Sequence, residues 1–243
     1  MLSTFLSYVP TLLMMLLLSV LARRSSYKTS PWFFAYASFA VAADVARFLL
    51  QNHRDAYFAT YWITEAGYDL LGILVMYEVF RTVLGGLTKV WWARLIFPVV
   101  VLASIGLGFA RNHSTAADLG GRLMVYIVIG ELAVRFAQVL IFAGLVSLVP
   151  LIGLRWCQHS FGIATGFGVY STVALLATTK FSDFGTRFKL TWGITLLVSY
   201  SIAVLIWIWF FSAPETRDTA SPIELSPSPV ELEQYKRALR RNP

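Results

Sequence analysis

The chain has 243 residues, of which 57% are hydrophobic and only 14% are charged, and its mean hydropathy is +0.66. A soluble domain carries about 25% charged residues, so this composition excludes an ordinary globular domain and indicates a polytopic membrane protein. The formal net charge of +7 is typical of a basic cytoplasmic surface near anionic lipid, and we expect no nucleic-acid binding.

Seven apolar segments are long enough to cross the membrane as helices, which takes roughly 20 residues each. They predict an all-α, polytopic seven-helix transmembrane bundle, because strands with open edges would leave unpaired backbone groups in lipid. We expect residues 1–211 to form this domain and residues 212–243 to form a cytoplasmic tail. The predicted spans cover residues 3–22, 31–50, 57–80, 91–110, 123–149, 161–181 and 189–211.

The first span begins without a basic segment and is followed directly by Arg23 and Arg24. We therefore expect it to remain in the protein and not to be cleaved as a signal peptide. The positive-inside rule puts these arginines in the cytoplasm and the N-terminus outside. In that orientation the inner loops and the tail carry about twice as many Lys and Arg residues as the outer loops. The sequence thus predicts an N-out, C-in protein of a cell membrane, in particular a bacterial inner membrane.

The second and third spans carry charged residues at helical spacing. Asp44 and Arg47 lie three residues apart, and Glu65 and Asp69 lie four apart, so each pair shares a helix face. Because the two spans run in opposite directions, all four residues are expected in the outer half or near the middle of the membrane. Glu78 lies on the opposite face of the third span, near its inner end, where we expect it to snorkel or to pair locally.

The fifth span adds Glu131 and Arg135, again four residues apart, and Arg135 is expected to pair with Glu131 or with a carboxylate of the third span. The two acids of the third span are expected to meet arginines of neighbouring helices. Four carboxylates cannot all stay ionised in a low dielectric beside two arginines, so a proton, a metal ion or a cationic ligand must balance them. The candidate residues for binding a ligand or a proton are Asp44, Arg47, Glu65, Asp69, Glu131 and Arg135.

The sixth span contains Gly162 and Gly166 at the GxxxG spacing that is typical of close helix packing. A second interpretation is that hydroxyl groups of the sixth and seventh spans form the polar wall of a cavity. The candidate wall residues are Tyr170, Ser171, Thr195, Ser199 and Tyr200.

Several chemistries are excluded by what the sequence lacks. A retinal protein needs a lysine in the middle of the last span, whereas residues 190–211 contain none and Lys189 lies at the mouth of the span. All three histidines are expected in loops outside the predicted spans, and HExxH, zinc-type Cys/His spacing, GxSxG and P-loop patterns are missing. We therefore expect a non-enzymatic protein without a catalytic residue, a metal or a cofactor.

The tail has two parts. Residues 212–228 are rich in Pro, Ser, Thr and Glu, which predicts a disordered linker. Ser228, Pro229 and the following acidic and then basic residues predict a short amphipathic helix at 229–241. This helix is expected to contact the membrane surface or a protein partner in the cytoplasm.

The segments PWFFAYASFAVAADVARF, YWITEAGYDLLGILVMYEVF and WWARLIFPV resemble a family of uncharacterised bacterial seven-helix integral membrane proteins. The resemblance covers the N-terminal part of the chain. It implies the same helical architecture, and its motifs carry no chemistry that transfers to the residues of this chain.

The sequence leaves two function classes open. The polar cluster and the tail favour a membrane sensor or a membrane-assembly module that binds a small ligand or a proton. The alternative is a proton- or cation-coupled transporter, although the repeated halves and broken spans typical of transporters are not evident. A purely structural interpretation is that the charges form a buried network that fixes helix register. An oligomer is compatible with each of these.

Overall fold

The computed structural model describes residues 2–85, 91–111, 119–151, 156–184 and 189–213, all within the unit Met1–Ala213. The predicted linker and helix of the tail lie outside the described residues beyond position 213, so both stay predictions. Within the described ranges there is no strand, and the seven α-helices are α1 (Leu2–Arg23), α2 (Pro31–Leu50), α3 (Arg54–Val83), α4 (Trp91–Arg111), α5 (Leu119–Leu151), α6 (Gln158–Phe184) and α7 (Lys189–Ser212).

Each predicted span falls within one of these helices, which confirms the all-α architecture. Two helices are much longer than a minimal span, since α3 has 30 residues and α5 has 33. Two apolar stretches in α1 and α4 are shorter, Tyr8–Arg23 and Leu95–Gly108. Among the described residues, four helical segments are long and apolar enough to cross a membrane: Pro31–Leu50, Val125–Leu151, Gln158–Ala177 and Gly193–Ser212.

Six of the helices form a closed ring in the order α1, α2, α3, α5, α6 and α7, with α7 packing back on α1. Helix α4 lies outside the ring, where it packs on α5 and places Phe97 against Tyr77 and Phe80 of α3. Most neighbours in the ring are also neighbours along the chain, as expected for short connections. The ring therefore encloses an interior to which six helices contribute side chains.

Aromatic side chains fill the end of this interior that contains the start of α2 and the end of α7. Phe33, Trp207 and Phe211 are buried there. The ring of Phe33 stacks on Phe211 at a centroid distance of 5.3 Å and meets Trp207 edge-on at 5.2 Å. The Trp207 indole donates a hydrogen bond to the carbonyl of Ile163 at 3.3 Å. Phe33, Trp207 and Phe211 form an aromatic plug that stabilises this end of the interior, and polar groups line the other end.

The two glycines of the GxxxG pattern in α6 allow close contact with α7. A Cβ atom at Gly162 would clash with Phe210, and one at Gly166 would clash with the indole of Trp207. The packing interpretation of this pattern is therefore confirmed. Small residues bring α6 near enough to α7 for the large aromatic side chains of α7 to lie against its backbone.

Charged residues at the plugged end stabilise helix termini. The carboxylate of Glu78 accepts a hydrogen bond from the backbone N–H of Phe33 at 3.1 Å, in the first turn of α2. An anion is favoured there by the free N–H groups and the helix dipole. The snorkelling or local pairing expected of Glu78 stays a prediction, and its bond to the start of another helix was not foreseen. Arg24 likewise donates to the carbonyls of Ser212 and Ala213 at the end of α7.

Candidate functional site

The charged residues singled out in the second, third and fifth spans line one cavity of about 330 Å³ inside the helix ring. All six helices of the ring contribute to its walls, and the described residues of α4 do not. The cavity lies towards the end opposite the aromatic plug, because its acids come from the second half of α2 and the first half of α3. The six charged residues in its wall are Asp44, Arg47, Glu65, Asp69, Glu131 and Arg135.

Arg47 connects α2 to α3 through several contacts. Its Nη2 lies 3.0 Å from Oε1 of Glu65, and its Nε donates to the hydroxyl of Thr64 at 2.9 Å. The guanidinium also lies over the ring of Tyr61, with its carbon 4.7 Å from the ring centroid. Charge-assisted hydrogen bonds and cation–π contact act together here. The positive charge of Arg47 is therefore already paired with the carboxylate of Glu65 on α3.

Arg135 is paired within its own helix. It forms an ion pair with Glu131 one turn earlier, which confirms the predicted pairing. An acid four residues before a base is the favourable order on a helix. The guanidinium carbon also lies 5.8 Å from the ring centroid of Tyr170 on α6.

Two carboxylates in the cavity wall have no arginine partner in the part of the chain that the structure describes. Oδ2 of Asp44 accepts a hydrogen bond from the hydroxyl of Thr11 on α1 at 2.6 Å. Asp69 makes no hydrogen bond or ion pair with any residue that the structure describes, so the expectation that it meets an arginine is wrong. The charge of Arg135 attracts Asp69, but its guanidinium forms an ion pair with Glu131. With four carboxylates and two arginines in the wall, the formal excess is two negative charges.

Tyrosine side chains form much of the remaining wall. Tyr170 and Tyr200 pack edge to face with centroids 5.4 Å apart, and Tyr36 and Tyr68 pack similarly at 5.8 Å. The hydroxyl of Tyr68 donates to the carbonyl of Ala40 at 3.3 Å. A tyrosine presents both a π face and a hydroxyl group, so this wall suits a cation better than an apolar molecule.

Of the five predicted wall residues, Tyr170 and Tyr200 line the cavity and the other three do not. Ser171 is fully buried and donates to a glutamine side chain of α5. Thr195 and Ser199 each donate to a carbonyl of their own helix. A hydroxyl on a helix is readily satisfied in this way, so residue type alone does not place it in a cavity.

The sequence analysis missed several residues of the cavity wall. Tyr68 lies three residues after Glu65, and Gln138 lies three residues after Arg135, so helical spacing carried a signal for both. A Cβ at Gly72 would lie 2.9 Å from Nε2 of Gln138, so this glycine allows the amide to lie against α3. Tyr36 and Thr11 are uncharged residues in spans that hold other polar residues, and nothing in the sequence singles them out.

No protein-family model, curated protein or solved structure matches the chain. The resemblance to bacterial seven-helix proteins therefore stays a prediction, and the geometry of the cavity carries the functional argument. Among the described residues there is no group of three or more His, Cys, Asp or Glu side chains that could hold a metal ion.

Proposed function

We propose that this protein is a non-enzymatic sensor of a cell membrane that binds a small cationic ligand in the cavity between its helices. One observation carries the proposal: Asp44 and Asp69 line a single cavity in which both arginines are already paired with other carboxylates. A cation in this cavity would balance the excess negative charge. The tyrosine rings would stabilise it further through cation–π contact.

In this proposal all seven helices cross a bacterial inner membrane, with the N-terminus outside and the tail in the cytoplasm. The four long apolar segments and the distribution of basic residues support this arrangement. Helix α3 is the most polar of the seven, but its acids Glu65 and Asp69 line the interior cavity and do not face lipid. Charges inside a helix ring avoid most of the cost of contact with hydrocarbon.

The sensor interpretation follows from the number of helices around the cavity. Asp44 belongs to α2 and is bonded to α1, whereas Asp69 belongs to α3. A cation held between the two carboxylates contacts both helices. It stabilises the arrangement of the helix ring in which both carboxylates bind it, and so shifts the population of the protein towards that arrangement. We propose that the tail passes this change to a cytoplasmic protein partner.

A proton- or cation-coupled transporter is the second candidate, and it is favoured because Asp69 has no partner among the described residues. A transporter has to open its central site to both sides of the membrane in turn. The buried side chains of Phe33, Trp207 and Phe211 fill the interior on the side opposite the charges. A second route would need this plug to open, so we place binding and sensing before transport.

A purely structural network explains less of the cavity. It accounts for the pairs of Arg47 with Glu65 and of Arg135 with Glu131. It does not account for Asp69, which makes no bond among the described residues and faces the like charges of Glu65 and Glu131. Such an unpaired acid costs stability in a scaffold and serves a purpose in a binding site.

The proposal is tested by the thermal midpoint of the purified full-length protein in lipid nanodiscs. We titrate methylammonium and tetramethylammonium chloride against sodium chloride at equal ionic strength, because binding to the folded state raises the midpoint. We expect at least one organic cation to raise it in the wild type. Asp69→Asn should abolish this response. Asp55→Asn, the same change at an exposed position in the first turn of α3, should keep it.

Two results would contradict the proposal. One is a wild-type midpoint that responds to neither organic cation beyond the sodium control. The other is an unchanged response in Asp69→Asn. The midpoint of Asp69→Asn without ligand should not fall, because the change removes repulsion from Glu65 and Glu131 and breaks no bond, so misfolding does not obscure the comparison.

A further inference from the structure

A groove of about 630 Å³ lies at the outer surface of the ring between α1 and α2, next to the start of α3. Its walls are largely apolar, and several of its side chains are exposed: Leu12 is 60% exposed, Phe48 is 52% and Val45 is 43%. Tyr8 and Phe48 meet edge-on across it, with ring centroids 6.3 Å apart. In a membrane-spanning ring, this α1–α2 groove faces acyl chains.

The α1–α2 groove and the cavity share Thr11, Asp44 and Arg47. The hydrogen bond from Thr11 to Asp44 joins α1 to α2 at this boundary. The carboxylate of Asp44 therefore borders both the tyrosine-lined interior and the surface that faces the bilayer. A molecule that passed from the groove into the cavity at this boundary would displace this hydrogen bond.

The charges at this boundary select the kind of molecule. Arg47 is already bonded to Glu65 and Thr64, whereas the bond of Asp44 among the described residues is to the neutral hydroxyl of Thr11. An ammonium group adds a full positive charge to its hydrogen bond with the carboxylate, which the neutral hydroxyl of Thr11 does not, so an ammonium can replace Thr11. A phosphate or sulfate head group would meet unpaired carboxylates at Asp44 and Asp69 and would be repelled.

We infer that the ligand of this protein is a single-chain amphiphile with a primary ammonium head, which enters the cavity sideways from the bilayer through the α1–α2 groove. The inference rests on the proposed function and names its ligand class. The head binds between Asp44 and Asp69, and the chain lies along α1 and α2. The wall of the groove from Tyr8 to Met15 extends for about 10 Å along α1, which accommodates an alkyl chain of medium length.

The first test is a series of amines of increasing chain length on the full-length protein in nanodiscs. Methylamine, hexylamine and decylamine are compared with decanol and decyl sulfate, and apparent affinities are taken from the rise in thermal midpoint. We expect a gain of about tenfold or more from methylamine to decylamine, because each buried methylene adds to binding. Decanol and decyl sulfate should bind at least tenfold more weakly than decylamine.

Substitutions in the groove separate specific binding from partition into the bilayer. Val45→Trp and Leu12→Trp fill the groove, and Leu102→Trp is the matched control at a 67% exposed position of α4. Both groove variants should lose the gain with chain length and keep the response to methylamine. The control should keep both. Partition into lipid is the same for all variants, so only a change of the site can produce this difference.

The outcomes distinguish the inference from the function on which it rests. A methylamine response without any gain for decylamine, or a gain that survives both groove variants, overturns the sideways entry and leaves the cation site standing. Equal binding of decylamine and decanol overturns the ammonium head. A protein that responds to tetramethylammonium but to no amine overturns only the inference, and one that responds to neither contradicts both proposals.

A second test locates the chain directly. A decylamine with a photoreactive diazirine at the end of its chain is irradiated with the protein, and the modified peptides are mapped with and without excess decylamine. We expect modification of α1 and α2 that decylamine suppresses and decanol does not. Labelling spread over all membrane-facing helices overturns the inference. So does a cross-linked dimer that Val45→Trp abolishes and decylamine leaves unchanged, because a second copy of the chain then covers the groove.

Discussion

At the scale of single residues, the charges in the helix ring divide into ion pairs and acids that are left over. Arg47 binds Glu65 on the next helix, and Arg135 binds Glu131 on its own helix. Asp69 has no such partner among the described residues, although it lies in the same cavity wall. We therefore expect the loss of stability on substituting a charged residue to depend on whether the substitution leaves an acid or a base without its partner.

The pair of Glu131 and Arg135 offers a test of this asymmetry. Arg135→Gln leaves another carboxylate unpaired in a negative cavity, and we expect a loss of about 2–3 kcal/mol, below the range for a fully buried pair because the side chain of Glu131 is 29% exposed. Glu131→Gln frees Arg135 to bind Asp69 and should cost less than about 1 kcal/mol. The free energies come from denaturant unfolding in mixed micelles.

The double variant supplies the control. Glu131→Gln combined with Arg135→Gln should be more stable than the sum of the two single losses predicts, because Glu131→Gln removes the acid that Arg135→Gln leaves unpaired. Additive losses, or a larger loss for Glu131→Gln than for Arg135→Gln, would show that the two residues do not act as a pair in this cavity.

Helical spacing predicted which charged residues share a face, and that was enough to bring all six into one cavity wall. It could not predict the bond between Thr11 and Asp44, because a threonine in an apolar span carries no charge signal and the two residues lie in different helices. It also predicted an arginine partner for Asp69. That prediction failed because spacing alone does not show that Arg135 forms its ion pair with Glu131.

At the scale of helices, the close contact between α6 and α7 positions the aromatic plug. Gly166 lies under Trp207, which is buried and also packs on Phe33 and Phe167. The GxxxG spacing predicted a close approach, but not which helix would make it. The bond of Glu78 to the start of α2 was missed for a related reason: it depends on how α3 lies beside α2, and the sequence of α3 contains no sign of it.

Substitution of Gly166 tests this contact. Gly166→Ala adds a Cβ where the Trp207 indole lies, and neighbouring rings prevent that indole from moving, so we expect a loss of about 1–3 kcal/mol from overpacking. Gly144→Ala in α5 is the control, because a Cβ there meets nothing within 4 Å. It should stabilise the helix by up to about 1 kcal/mol. Equal midpoints for the two variants would argue against the close contact of α6 with α7.

At the scale of the whole molecule, six helices surround the polar cavity and α4 packs outside them. Hydropathy predicted the number of helices and nearly their limits, because an apolar run of sufficient length has few alternatives to a helix. The lateral order was not predictable in the same way. It depends on side-chain packing between helices that are far apart in the sequence, such as α1 with α7 and α3 with α5.

The orientation of the whole ring is tested by labelling single cysteines in intact cells, with Cys157 replaced by serine. We expect Asn52→Cys, in the turn between α2 and α3, to react with a membrane-impermeant maleimide from outside. Gln234→Cys, in the tail, should react only after the cells are permeabilised. The reverse pattern would show that the excess of basic residues on the proposed inner side does not set the orientation.

The central claim is that the charged residues of α2, α3 and α5 surround a negatively charged cavity, and the modification rate of a cysteine in its wall tests this most directly. Val134→Cys lies in the cavity wall, and Asn52→Cys is the control at an exposed position in the turn between α2 and α3. Both are made with Cys157→Ser and treated with cationic and anionic methanethiosulfonates of similar size. We predict that the cationic reagent modifies Val134→Cys about tenfold or more faster than the anionic one, because the field of the unpaired acids concentrates cations, while Asn52→Cys shows no such preference. If neither reagent reached Val134→Cys, or if the anionic reagent reacted faster there, the cavity as described would be contradicted.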